Sequence, residues 1–142
     1  MRARARTGRV LRPLAIPLAA VAALLLGCQT PMPDTSEQMS PAEYFQAARD
    51  AIGARNHQAA MDYYRAYLER FPAAAHPDEL ERNLWAEYEI AFMHHKLDDD
   101  QTAIELLGLL VAKYDAEGGE DLPPAPGRLA RRVIEELQAT EG

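Results

Sequence analysis

The sequence lacks the patterns that identify most enzymes and most β proteins. It has no run of alternating β-branched residues of the kind that forms half-buried strands. It has no G-x-S-x-G nucleophile motif, no H-E-x-x-H zinc motif and no phosphate-binding glycine loop. The apolar positions fall at helical intervals instead. We therefore expect an all-α fold without catalytic residues and without a bound cofactor.

Acidic residues are absent from the first 27 positions, which have the layout of a secretory signal peptide. Five arginines come first, at positions 2, 4, 6, 9 and 12, and an apolar run over 14–26 follows, interrupted by Pro17. A membrane-spanning helix needs roughly 20 apolar residues, so this run is too short for a permanent span. We predict that residues 1–27 are removed.

Cysteine occurs once, at Cys28, directly after this run. The tetrad Leu25-Leu26-Gly27-Cys28 resembles the bacterial lipobox. That resemblance implies cleavage before Cys28, a diacylglyceryl group on its sulfur, and no thiol left for disulfides, catalysis or metal. Gln29, where an inner-membrane retention signal has aspartate, implies an outer-membrane location facing the periplasm. An ordinary signal peptide or a buried thiol is the alternative.

Basic charge is scarce once the signal segment is removed. The 15 basic residues fall to 10 while all 22 acidic residues remain, which gives a formal charge of −12. This excess argues against nucleic acid as a partner, because phosphates attract basic patches.

Residues 28–40 are polar and contain Pro31 and Pro33, as in a flexible tether. We expect one helical domain over 41–142.

Two segments of this domain repeat one pattern. Ser40 and Glu43 form a predicted capping box for a first helix, and Asn56 is placed to cap a second helix that ends before Pro72. The second helix has an apolar stripe with spacing 0, 4, 7, 8 and 11, formed by Ala60, Tyr64, Tyr67, Leu68 and Phe71. Adding 43 gives the same stripe again, in Ala103, Leu107, Leu110, Val111 and Tyr114.

The same offset of 43 relates the cap Asn56 to Asp99, and Ala48 to Ala91. We therefore predict two helix–turn–helix repeats, over about 41–72 and 84–115. Small residues let the two helices of each repeat approach closely. A further stripe predicts a capping helix over about 126–139, formed by Leu129, Val133, Ile134 and Leu137. Either this helix closes the stack or a partner completes it.

The repeats resemble the tetratricopeptide (TPR) family. Residues that match its pattern are Ala48, Ala60, Tyr64 and Pro72 in the first copy, and Ala91 and Ala103 in the second. Residues that depart from it are Tyr67, Leu107, Leu110 and Asp115, and the spacing of 43 exceeds the family's roughly 34. With the lipobox, the chain is similar to bacterial envelope repeat lipoproteins, including those that assist outer-membrane assembly.

The TPR resemblance implies a concave partner-binding groove lined by the first helix of each repeat. The residues that it assigns to this groove are Phe45, Arg49, Ile52, Trp85, Tyr88, Phe92, His95 and Lys96. Aromatic residues and arginine are the types most enriched in binding hot spots. The alternative is that these aromatics pack against the fifth helix.

His94 and His95 precede three aspartates, and imidazole and carboxylate groups both bind divalent metal ions. Adjacent helical residues point about 100 degrees apart, so the two histidines cannot readily share an ion, and we expect no metal. Glu87 and Glu89 are two residues apart on a helix and do not face each other, so we interpret them as solvated.

The leading hypothesis is a lipid-anchored adaptor that binds other envelope proteins or peptides. Self-association into an envelope scaffold and a small cell-wall enzyme are the two alternatives.

Overall fold

The computed structural model describes residues 39–140, which form five α-helices and no strand. The helices are α1 (Pro41–Gly53), α2 (His57–Arg70), α3 (Leu80–Lys96), α4 (Asp100–Asp115) and α5 (Pro124–Thr140). Short 3-10 helices, Pro77–Glu79 and Gly119–Asp121, precede α3 and α5. The expected all-α class is confirmed for this part of the chain.

Side chains cap the N-termini of three helices, as the sequence predicts. Ser40 and Glu43 form the capping box of α1: the Glu43 amide donates to the Ser40 hydroxyl, and the Ser40 amide donates to the Glu43 carboxylate. Asn56 and Asp99 each accept from a backbone N–H in the first turn of α2 and α4, at 3.1 and 3.3 Å. Such caps satisfy donors that have no partner within the helix.

The core divides into two clusters. The first lies between α1, α2 and α3, and the second lies between α3, α4 and α5. Each helix pair places two alanines in one cluster with no exposed surface: Ala48 of α1 with Ala60 of α2, and Ala91 of α3 with Ala103 of α4. Because these side chains are small, the larger residues of the stripes fill the space around them. The fifth helix packs against α3 and α4, as expected for a helix that follows the second repeat.

Asn83 holds the connection between α2 and α3 in place. This buried amide donates to the Tyr67 hydroxyl at 3.0 Å and to the Phe71 carbonyl at 2.9 Å, and it accepts from the Ala73 amide at 3.0 Å. The α3 helix begins at Leu80, four residues before the repeat boundary expected at 84. An early start of α3 and an ordered connection after α2 together account for the 43-residue offset between the two apolar stripes.

Candidate partner-binding site

A pocket of about 300 Å³ opens between α1, α2 and α3. Its lining residues are Phe45, Arg49, Ile52, Tyr64, Trp85 and Glu89. Four of these residues, from α1 and α3, belong to the groove that the sequence predicts. Small-molecule sites usually measure roughly 300–1,000 Å³, so this pocket suits a single side chain better than a cofactor.

Ring packing holds the wall of this pocket in place. The Phe45 ring meets the Tyr64 and Tyr67 rings edge to face, with centroids 5.2 and 5.1 Å apart. Tyr64 and Tyr67 are buried in the first core cluster, so Phe45 is anchored from behind. Edge-to-face ring pairs stabilise beyond the area that they bury. The aromatic wall is therefore preformed.

Trp85 joins the pocket to a row of rings along α3. The Trp85 and Tyr88 rings lie edge to face at 5.9 Å, and the Tyr88 and Phe92 rings stack at 5.9 Å with an interplanar angle of 10°. Tyr88 is only 8% exposed and belongs to the second core cluster together with residues of α5. Tyr88 is therefore part of the core that α5 completes and contributes little surface to a groove, and Trp85 and Phe92, which are partly buried, pack against the same core.

The last two predicted groove residues make contacts within the chain. His95 Nδ1 lies 2.6 Å from a carboxylate oxygen of Asp100. The Lys96 ammonium lies 4.7 Å from the centroid of the Phe92 ring, within the range of a cation–π contact. Both residues lie beyond the pocket at the C-terminal end of α3. The structure thus gathers Phe45, Arg49, Ile52 and Trp85 and leaves the other four outside the pocket.

Glu89 is the pocket residue that the sequence analysis assigned to a solvated surface. Its carboxylate is partly buried, and burial raises its pKa above the ordinary value for glutamate. It forms no hydrogen bond or ion pair with any residue of the described range. The signal was available in the sequence, because Glu89 follows Trp85 by four residues and so shares its helix face.

Arg49 carries the opposite charge on the same pocket. Its side chain is exposed, and its Nη2 donates to the Gln46 side chain at 3.0 Å. Tyr64 lies near both charges: burial mainly raises the pKa of its hydroxyl, Glu89 raises that pKa further, and Arg49 lowers it. The pocket therefore combines aromatic walls with a partly buried negative charge and a positive charge at the rim.

The histidines of α3 are engaged separately. His94 lies 2.9 Å from a carboxylate oxygen of Asp99 and 3.2 Å from a guanidinium nitrogen of Arg65. The hydrogen bond from His94, aided by the Thr102 amide, holds the pKa of Asp99 below its usual value. Within residues 39–140 no three His, Cys, Asp or Glu side chains come close enough to hold a metal ion.

A second, more apolar groove of about 460 Å³ lies between α2, α3 and α4. Its lining includes Leu68, Ile90, Leu106 and Leu109. Leu109 has 66% of its surface exposed. Glu87 also lines this groove and accepts two hydrogen bonds from the Lys113 ammonium at 2.6 Å, so it is paired rather than simply solvated.

The predicted lipidation site, Cys28, and the signal segment lie outside the described residues. Over 39–140 no helix is both long and apolar enough to cross a membrane.

Comparison with known proteins finds a distant relative. The chain is 32% identical over 117 residues to an uncharacterized protein of Treponema pallidum (strain Nichols). The alignment covers 82% of this chain and 45% of that protein, so the chain spans slightly less than half of the relative's length. No family model and no solved structure matches the chain.

Proposed function

We propose that this chain is a TPR-like lipoprotein of the bacterial cell envelope that acts as a protein–protein interaction adaptor. The observation that carries the proposal is the pocket between α1, α2 and α3, in which side chains from both repeats surround one opening. Its wall contains Trp85, Phe45 and Arg49, and these residue types dominate binding hot spots. The duplicated helix pairs, with fully buried alanines in each, support the TPR-like assignment.

Anchoring rests on the lipobox-like tetrad that ends in Cys28. A diacylglyceryl group together with an N-terminal acyl chain holds a protein stably on a membrane, whereas one chain does not. Gln29 supports the outer membrane, with the domain in the periplasm. Radioactive palmitate should label the full chain expressed in a Gram-negative host and should not label the Cys28→Ser variant. Equal labelling of the two proteins contradicts the anchor.

Binding of an envelope protein is tested with Trp85→Ala in the full, tagged chain. Truncation of Trp85 removes the largest side chain of the pocket, so a partner that co-purifies with the wild-type chain from solubilised membranes should be lost. Glu105→Ala, at an exposed position on α4, serves as the matched control and should retain the partner. The adaptor role is wrong if both variants recover that partner at wild-type levels while both remain folded.

The apolar groove favours self-association as a second candidate function. Leu109 projects a mostly exposed apolar side chain beside this groove, and large bare apolar surface is unusual on a monomer. A scaffold role predicts a dimer or larger assembly that Leu109→Lys dissociates. Light scattering on the detergent-solubilised chain measures this directly, and a persistent monomer removes the candidate.

A further inference from the structure

The unpaired carboxylate of Glu89 is unusual for its surroundings. The side chain points to a pocket whose other lining residues from α1 and α2 include the rings of Phe45 and Tyr64. A charge removed from water destabilises the folded chain unless an opposite charge or hydrogen-bond donors compensate it. Within the described residues Glu89 forms no hydrogen bond and no ion pair, although Arg49 lines the same pocket.

The aromatic rings around Glu89 favour one kind of ligand. The faces of Trp, Tyr and Phe rings attract cations, and the attraction strengthens when the cation is desolvated. A positively charged group in this pocket would meet the rings of Trp85 and Phe45 and the carboxylate of Glu89 together. An anionic group there would meet the like charge of Glu89, which disfavours it.

Arg49 limits how the ligand can lie. Its guanidinium is at the exposed side of the pocket and is held by Gln46, and it makes no ion pair with Glu89. A cation that enters on the Glu89 side avoids it, while a carbonyl or carboxylate of the same ligand can accept from it. A basic side chain on a peptide backbone has this arrangement of charges.

We propose that the pocket receives a lysine or arginine side chain of the partner protein, with Glu89 as the residue that selects its positive charge. The proposal rests on the adaptor function and names the chemistry of the contact. The excess of 22 acidic over 15 basic residues supports it, because a negative field accelerates association with a basic partner. The pocket volume of about 300 Å³ also fits one long side chain.

Trp85 is the sole tryptophan of the chain, so its fluorescence reports on this pocket. The probes are N-acetyl-arginine amide and N-acetyl-citrulline amide, which match in shape and differ in charge. Titration of the full chain in neutral detergent should give a saturable change in Trp85 emission with the arginine probe, at millimolar concentration. The citrulline probe should bind about fivefold more weakly or worse.

Two matched variants assign the effect to Glu89. Glu89→Gln should weaken the arginine probe by about fivefold or more and leave the citrulline probe unchanged. Glu81→Gln, an exposed glutamate on the same helix, should bind both probes as the wild type does. Equal binding of the two probes, no saturable change with the arginine probe, or full retention of its binding by Glu89→Gln overturns the proposal.

The Trp85→Ala co-purification experiment separates this proposal from the adaptor function. A partner that depends on Trp85 but is retained by Glu89→Gln leaves the adaptor role standing and overturns the cation contact. The opposite result is also possible: the arginine probe binds with charge selectivity, but the partner is recovered equally well without Trp85. The pocket then binds cations and the adaptor role is wrong.

Discussion

The two hairpins of the domain share one apolar stripe but use different side chains to fill it. The α1/α2 hairpin is aromatic, with Tyr44, Tyr64 and Tyr67 buried and in contact with further rings. The α3/α4 hairpin is aliphatic along α4, where Leu107 and Leu110 are buried. The two hairpins therefore bury corresponding positions of the stripe, but the side chains at these positions differ.

The hairpins also differ in what covers them. The second hairpin is covered by α5, whose Ala130, Val133 and Leu137 lie in its core cluster. Tyr114 ties that helix down by donating to the Pro123 carbonyl at 2.8 Å. The first hairpin keeps an open pocket on its α3 side. We infer that α4 and α5 chiefly supply stability, whereas the pocket between α1, α2 and α3 supplies the proposed binding surface.

The largest expected effect is the loss of packing in the covered hairpin. Leu107 is fully buried between α3, α4 and α5, so Leu107→Ala should lower the free energy of unfolding by about 2–5 kcal/mol. Leu109→Ala, two residues away and mostly exposed, should change it by less than about 0.5 kcal/mol. Urea denaturation of both variants checks this contrast. Similar losses in the two would contradict the assignment of the second core.

Closure by α5 depends on the absence of a side chain at Gly127. A Cβ at that position would lie 2.8 Å from carbon atoms of the Tyr114 ring, so Gly127→Ala should force the two elements apart and cost about 1–3 kcal/mol. Gly53 has open space around it, and Gly53→Ala should be neutral or stabilise by up to about 1 kcal/mol. Thermal melts of both variants, monitored by circular dichroism, measure this difference. A Gly127→Ala protein as stable as the wild type would show that α5 does not pack closely against Tyr114.

The boundary between the hairpins is set by Asn83. Asn83→Ala leaves the Ala73 amide and the Phe71 carbonyl without their partner, which should cost about 1–3 kcal/mol. Hydrogen exchange should then speed up over residues 71–80 more than in α4 or α5. Uniform acceleration across all five helices would instead mean that Asn83 supports the whole domain rather than this connection.

The smallest expected effect concerns Glu89 in the open pocket. Its replacement should raise the free energy of unfolding, whereas the substitutions above should lower it. Because burial raises the pKa of Glu89, the folded chain binds its proton more tightly than the unfolded chain does. Ionisation of Glu89 therefore removes stability as pH rises through the window above the ordinary glutamate pKa. The hydroxyls of Tyr64 and Tyr88, which lie near Glu89, have raised pKa values and stay neutral in this window.

The variant Glu89→Gln should consequently be more stable than the wild type at neutral pH, and this advantage should vanish in acid, where the wild-type carboxyl is protonated. Denaturation at a series of pH values measures the difference, with Glu81→Gln as the control that shows no such trend. A Glu89→Gln protein that is less stable at neutral pH would indicate that Glu89 supports the fold.

Much of the fold could be predicted from spacing alone. The offset of 43 located both hairpins, and short-range chemistry at Ser40, Asn56 and Asp99 located three helix starts. The start of α3 was placed four residues late, because the repeat aligns Asn83 with the cap Ser40 and so suggests a helix boundary there. In the structure Asn83 lies inside the helix. Besides the Glu79 carbonyl four residues back, it bonds three groups that are 10 to 16 residues away, which no local pattern encodes.

The site was predicted in part for a similar reason. Family positions on α1 and α3 identified four of the six pocket residues, since helix faces follow from the sequence. They did not distinguish Tyr88, which is buried in the core cluster that includes α5 residues, from Trp85, which is partly exposed and lines the pocket. That distinction depends on how a later helix packs. Glu89 shares the helix face of Trp85, so its place at the pocket could be predicted. That its carboxylate forms no ion pair could not be predicted, because this depends on the side chains of other helices.

The most direct test of the central claim is photo-crosslinking from the pocket in living cells. A benzophenone amino acid at position 49 of the full chain lies beside the pocket, and the same residue at position 105 lies on an exposed face of α4. The account predicts a defined crosslinked envelope protein from position 49 and none from position 105. Crosslinks to one protein with equal yield from both positions, or from position 105 alone, would contradict it.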